Sequence, residues 1–130
     1  MSVMSIETDL QAIKLVVTEY LKGMIYGQEN RLRESMHPKC MQAGHYCGQY
    51  EFIPRDAFIE AIKGEKKEPE GSSLNYEIPL IDITGDIAIA KINDECFGTN
   101  WTDYLTLIKH DGNWQIVMKA FYHHTGDRPH

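Results

Sequence analysis

The stretch Trp101-Thr-Asp-Tyr-Leu-Thr-Leu-Ile-Lys109, His-Asp-Gly-Asn113, Trp114-Gln-Ile-Val-Met-Lys-Ala-Phe-Tyr-His-His124 reads as a β-hairpin. Two β-rich runs joined by a short segment containing Asp-Gly carry one of the strongest hairpin signals a sequence offers. Strict alternation puts Trp101, Asp103, Leu105 and Leu107 on one face, because successive strand side chains point to opposite sides. A carboxylate among Trp and Leu is costly to bury unless partnered, so Asp103 points to a polar spot inside an apolar cavity. A two-residue turn at Asp111-Gly112 sets Asp103 opposite Ala120, with Met118 and Tyr122 diagonal to it. A bulged three-residue loop instead sets Lys119 against Asp103 as an internal ion pair.

Upstream, Ile6, Leu10, Ile13, Val17, Tyr20 and Met24 recur at three- and four-residue steps and predict one long amphipathic helix from Ile6 to about Tyr26. Ser5 suits its N-cap, Glu7 and Asp9 its first turn, and Gly27 its stop. A short helix follows from about Glu29 to Met36, ended by Pro38. Cys40 to Ile53 loses the helical period and, with Gly44 and Gly48, suits two short strands around a turn or bulge. Pro54 then precedes a third helix, Arg55 to Lys63, with Phe58, Ile59 and Ile62 on its buried side. Leu74 to Thr84 and Ile87 to Phe97 flank Gly85-Asp86 as a second hairpin, with Pro79 at an edge or bulge. Helices collected ahead of a meandering antiparallel sheet make an α+β domain.

At 130 residues the chain fits a single domain, 1–130. A net charge of -6 argues against a nucleic-acid partner, which calls for clustered Lys and Arg. The one dense charge run, Gly64 to Glu70, mixes both signs and reads as a solvated loop. No stretch approaches the roughly 18 apolar residues of a membrane span, and the first residues lack a secretory pattern. Three cysteines at irregular spacing, Cys40, Cys47 and Cys96, suit reduced thiols and a cytoplasmic setting. His37, Cys40, His45 and Cys47 only superficially suggest a zinc set, since their spacing matches no paired arrangement; no structural metal and no cofactor are expected. Phosphate-loop, dinucleotide, serine-hydrolase and metalloprotease motifs are all missing from the sequence.

The element order, His37-Pro38 after the second helix, and the closing pattern Thr102-Asp103-Tyr104-Leu105-Thr106-Leu107 with Asp111-Gly112-x-Trp114-x-Ile116-Val117-x-Lys119-x-Phe121 resemble the nuclear transport factor 2-like superfamily. Within it the likeness is strongest to the bacterial family called putative lumazine-binding, and it also touches the SnoaL-like cyclases. The resemblance covers Ile6 to about His123. It implies a cone-shaped, curved antiparallel sheet wrapped on the long N-terminal helix, two shorter helices, an apolar cavity between them, and a homodimer. Because the superfamily holds isomerases, cyclases, dehydratases and many non-enzymes, the fold alone does not decide the activity.

The cavity is expected to be lined by Tyr20, Met24, Trp101, Asp103, Leu105 and Tyr122, with Asp103, His45 and Tyr20 as candidate catalytic groups. In ketosteroid isomerases a Tyr and a protonated Asp together form an oxyanion hole, and Tyr20 and Asp103 stand at comparable places on the first helix and a late strand. Where that enzyme's base carboxylate would lie, Met41-Gln-Ala-Gly-His45 offers no Asp or Glu, so the isomerase chemistry does not carry over. His45 or His37 is a candidate replacement, since imidazole titrates near neutral pH. The expected role is binding of a small apolar or ring ligand. Its rivals are a lyase, isomerase or cyclase working by proton transfer, and a dimerisation module without ligand. The outer face of the last hairpin, with Thr102, Tyr104, Thr106, Ile108, Val117 and Phe121, is apolar enough to predict a homodimer through the sheet.

Overall fold

The computed structural model describes residues 3–124, and the side chains of 6–124. Helix α1 spans Val3–Ile25, α2 Glu29–Ser35 and α3 Arg55–Ile62; the strands are β1 Met36–Tyr46, β2 Gln49–Pro54, β3 Tyr76–Thr84, β4 Ile87–Cys96, β5 Thr99–His110 and β6 Asn113–His124. Their spatial order, β2-β1-β6-β5-β4-β3, forms one curved, unclosed six-stranded sheet. The α+β class holds, but the sheet is mixed rather than antiparallel, because β1 runs parallel to β6. That pairing joins segments far apart in sequence, and no local signal announces it.

Ile13, Val17, Tyr20 and Met24 of α1 are buried against the sheet, as the stripe predicts, and Leu21 is buried beside them, while Ile6 is 46% exposed. The helix already runs through Ser5, which is therefore not its cap. Asp9 lies past the first turn and does more than complement the dipole: its Oδ1 accepts from Trp114 Nε1 at 3.1 Å and Lys109 Nζ at 2.9 Å. The Lys109 and Trp114 hydrogen bonds hold its carboxyl below the usual range and tie α1 to the final hairpin. Gly27 ends α1 at φ 70°, where Gln28 N–H donates to the Gly23 carbonyl at 2.9 Å. Pro79 falls on edge strand β3, within a ladder shift between Glu77 and Leu80.

The register of the last hairpin decides which side chains enter the interior. Asp111 and Gly112, both at positive φ, make the two-residue turn, and His110 pairs with Asn113. Leu107 pairs with Ile116 but Thr106 with Met118, so Val117 is an extra residue. Such a bulge reverses the inward parity of every later residue. Asp103 therefore pairs with Phe121, neither with Ala120 nor with Lys119. Lys119, Phe121 and His123 turn inward beside Asp103 and are buried; Tyr122 turns outward and is 62% exposed.

Gly44 on β1 pairs with Phe121 on β6. A Cβ there would lie 2.4 Å from the Phe121 carbonyl oxygen and 2.7 Å from its ring. Since backbone cannot swing away as a flexible side chain does, Gly44→Ala should destabilise the fold by about 2–3 kcal/mol in a urea melt. An unchanged midpoint would contradict the β1–β6 packing.

Candidate functional site

A cavity of about 80 Å³ opens between α1, α3 and the inner face of the sheet. One ordered water needs about 10–15 Å³, so the space admits the reacting end of a small organic molecule. Met24, Phe58, Ile62, Phe97, Trp101 and Phe121 supply its apolar wall, and Gln42, Glu51, Glu65, Asp94, Asp103 and Lys119 its amide and charged groups. Tyr46 stands beside them with its ring centroid 5.2 Å from that of Trp101, and His123 lies over Trp101 at 4.5 Å.

Asp103 comes from β5, and its Oδ2 accepts the Tyr20 hydroxyl proton at 2.7 Å, both residues being buried. The structure thus joins the two residues that sequence reasoning paired, but Tyr20, expected on the cavity wall, stands behind Asp103 and is not among the residues that line it. Burial pushes the Asp103 carboxyl above its ordinary range, against the opposing pull of the Lys119 charge and the Tyr20 hydrogen bond. Tyr20 is held neutral well above its usual value, by burial first and then by the negative charges of Asp103 and Asp94.

Asp94 is the carboxyl that alternation could have found. Ala88, Ala90, Ile92, Asp94 and Cys96 share the buried face of β4 by the same period that buries Asp103 on β5. In the ladder Ile92 pairs with Asp103 and Asp94 with Trp101, so the two carboxyls are diagonal neighbours on one face. Burial, then repulsion from Asp103, raises Asp94 from 3.8 to about 8, partly offset by Lys119. Two buried carboxyls facing one apolar space disfavour each other's ionisation. Tyr20 donates to Asp103 and supports its anion, whereas Asp94 Oδ1 has no hydrogen-bond partner among the described residues, which biases Asp94 toward its neutral acid.

Lys119 is 5% exposed. Its ammonium faces rings, 4.2 Å from the Phe58 centroid, 5.1 Å from Tyr20 and 5.5 Å from Phe121, with Met24 Sδ at 3.9 Å. Gln42, from the strand segment without a carboxylate, donates to Glu51 at 3.4 Å and leaves its buried Oε1 unpartnered. The cavity thus presents an acid proton, an amide acceptor and a cation to whatever enters.

Other expected site residues lie elsewhere. Leu105 is buried on the Asp103 face but packs in the core beneath the cavity. Tyr122 is on the opposite face, displaced by the Val117 bulge. His45 is exposed on β1, its ring 5.3 Å from Tyr50, because Gln42, Gly44 and Tyr46 take the inward positions. His37 is spent locally, its Nδ1 accepting from Lys39 N–H at 2.9 Å. Among the described residues no group of three or more His, Cys, Asp or Glu is placed to hold a metal ion. No described helix is long and apolar enough to cross a membrane.

The family described as putative lumazine-binding matches residues 8–122, and the chain belongs to it. The aldolase FrzH of Cladobotryum sp. is 30% identical over 105 residues, covering 79% of this chain and 82% of that one. An NTF2-like protein of unknown function from Silicibacter pomeroyi superposes with a TM-score of 0.85 at 26% identity, over 95% of this chain and 99% of its own. A protein described as a putative ketosteroid isomerase, from Shewanella frigidimarina, shares the fold at a TM-score of 0.57 and 23% identity, over 85% of this chain and 94% of its own.

Proposed function

We propose that the cavity binds a small carbonyl compound and moves a proton between its α-carbon and its oxygen. The observation that carries this reading is the pair of buried carboxyls, Asp94 and Asp103, whose surroundings give them different protonation states in one apolar pocket. Groups pushed apart in this way divide the work of acid and base. The Asp103 carboxylate, aimed by Tyr20, takes the proton from carbon. The Asp94 acid hydrogen-bonds the carbonyl oxygen, where enolate charge develops. Lys119 adds positive charge beside both, and Gln42 Oε1 accepts from a hydroxyl or N–H elsewhere on the ligand. The aldolase relative supports this, since an aldol reaction begins with loss of an α-proton. A purely dimeric module without ligand gives no reason for unpartnered polar atoms around a cavity.

The test is α-proton exchange. A panel of small ketones, dihydroxyacetone and cyclohexanone among them, is incubated with the protein in D2O and followed by NMR. Exchange above the buffer rate is expected for at least one ketone, and none across the panel would count against the reading.

We further propose a homodimer through the outer face of the sheet and a cytoplasmic setting, the latter resting on the odd number and irregular spacing of the cysteines. Tyr104 at 58% exposure, with Leu80, Ile87, Ile89 and Tyr122, makes that outer face apolar; Phe121, expected there, is inside. Light scattering should report twice the 15.0 kDa chain mass, and a clean monomer would overturn the dimer.

A further inference from the structure

We infer that Lys119 is a nucleophilic amine that condenses with the carbonyl carbon of an aldehyde or ketone ligand to form an imine. The inference rests on the carbonyl reading above and extends it by naming the bond that is made. A lysine buried for structure spends its N–H groups on a carboxylate or on carbonyl oxygens. Lys109, although only partly buried, shows the pattern with Asp9 at 2.9 Å. Lys119 has no carboxylate at ion-pair distance among the described residues, and its ammonium meets three ring faces and a thioether. Those contacts hold a charge without a strong hydrogen bond to break, and a lysine desolvated in an apolar pocket is the setting in which the amine becomes a nucleophile.

The neighbouring carboxyls supply the proton traffic. At rest the cavity holds one ammonium, one carboxylate and one carboxylic acid. Passing a proton from Lys119 Nζ to Asp103 leaves three uncharged groups, so no net charge has to enter or leave the apolar space. Burial, which raises both carboxyls, favours that transfer.

The step then balances. The amine lone pair attacks the carbonyl carbon and forms a C–N bond, while the C=O π pair moves onto oxygen. That oxygen takes the Asp94 proton, and the surplus proton on nitrogen returns to Asp94, giving a neutral carbinolamine. Asp103 next protonates the hydroxyl. The C–O bond breaks, water leaves, and the nitrogen lone pair closes the C=N bond of a protonated imine. The sum is amine, carbonyl and one proton going to iminium and water, the proton being the one Lys119 first gave up. Asp103, again a carboxylate, is then the base for the adjacent C–H, whose electron pair the iminium accepts as an enamine.

The test uses acetylacetone with the full-length chain. An imine between an amine and this diketone tautomerises to a conjugated enaminone, which absorbs in the near ultraviolet and survives digestion. The expected result is one adduct per chain, heavier by the diketone less one water, mapping to the peptide bearing Lys119, and lost in Lys119→Met and in Lys119→Arg. Arginine keeps the cation and the bulk, so it serves if the methionine variant fails to fold. No adduct on the wild-type Lys119, or labelling confined to surface lysines, would overturn the inference. Absence of the adduct while α-proton exchange persists removes the imine and leaves the carbonyl reading standing; absence of both removes the two together.

Discussion

Asp103→Asn should abolish most α-proton exchange while leaving the fold intact. Asparagine has the same shape, and its Oδ1 can still accept the Tyr20 hydroxyl now bonded at 2.7 Å, so the contact between α1 and β5 survives. What it cannot do is take a proton from carbon. A positioned general base contributes roughly 100- to 10,000-fold, so the exchange rate should fall by at least about 100-fold, near 2.7 kcal/mol of barrier. Thermal melting should change little, because without the Asp103 charge Asp94 ionises more readily and takes its place beside Lys119. The competing possibility is a purely structural Asp103, whose charge is the counterion of Lys119. Removing the charge would then strand a buried ammonium and cost about 3 kcal/mol or more of stability. The structure already weighs against that outcome, since the two residues do not form an ion pair and the Val117 bulge places Lys119 opposite Leu105. A variant that unfolds at markedly lower urea, with exchange lost only in proportion, would reverse the assignment.

The part of the site legible in the sequence is the part where local period is unbroken. From Trp101 to Leu107 no residue is inserted, so alternation alone places Asp103 inside, and the helical stripe alone places Tyr20 and Met24. Their meeting at 2.7 Å follows from packing one face on the other. Beyond Val117 the same reasoning fails, because one extra residue exchanges the two faces of β6 and neither Gly nor Pro marks the spot. Unbroken alternation therefore puts Tyr122 inside and Phe121 on the outer face, and brings Lys119 to Asp103 only in a register the chain does not adopt. Asp94 was readable by the Ala88, Ala90, Ile92 alternation but sits next to Asn93 and Glu95, where a run of polar residues resembles an approach to a turn. The parallel seat of β1 against β6 is a contact between distant segments. It turns Gln42 inward and His45 outward, and no window of sequence contains the information.

Asp94→Asn should flatten the pH dependence of stability. The folded-state pKa of Asp94 is raised from 3.8 to about 8, so between those values the folded protein keeps a proton that the unfolded chain has released. The sign follows from the linkage relation: stability falls with rising pH wherever the folded state binds more protons. The contribution is fully present below about pH 4, declines at up to roughly 1.4 kcal/mol per pH unit across the window, and is gone above about pH 8. Asparagine titrates nowhere in this range. Urea melts at about pH 5 and about pH 7.5 should therefore show wild type losing on the order of 3 kcal/mol more than the variant over that interval. The groups facing Asp94 are Asp103, Lys119, Tyr20 and Cys96, and all remain in the variant. Asp103, also raised, keeps a slope of the same sign in both proteins. The surface carboxylates lowered by their partners, Glu29 beside Arg33 and Asp56 beside Arg55, act below the window and with the opposite sign. Equal slopes in the two proteins would show that Asp94 is ionised throughout, and the acid assigned to the carbonyl oxygen would have to be sought elsewhere in the cavity.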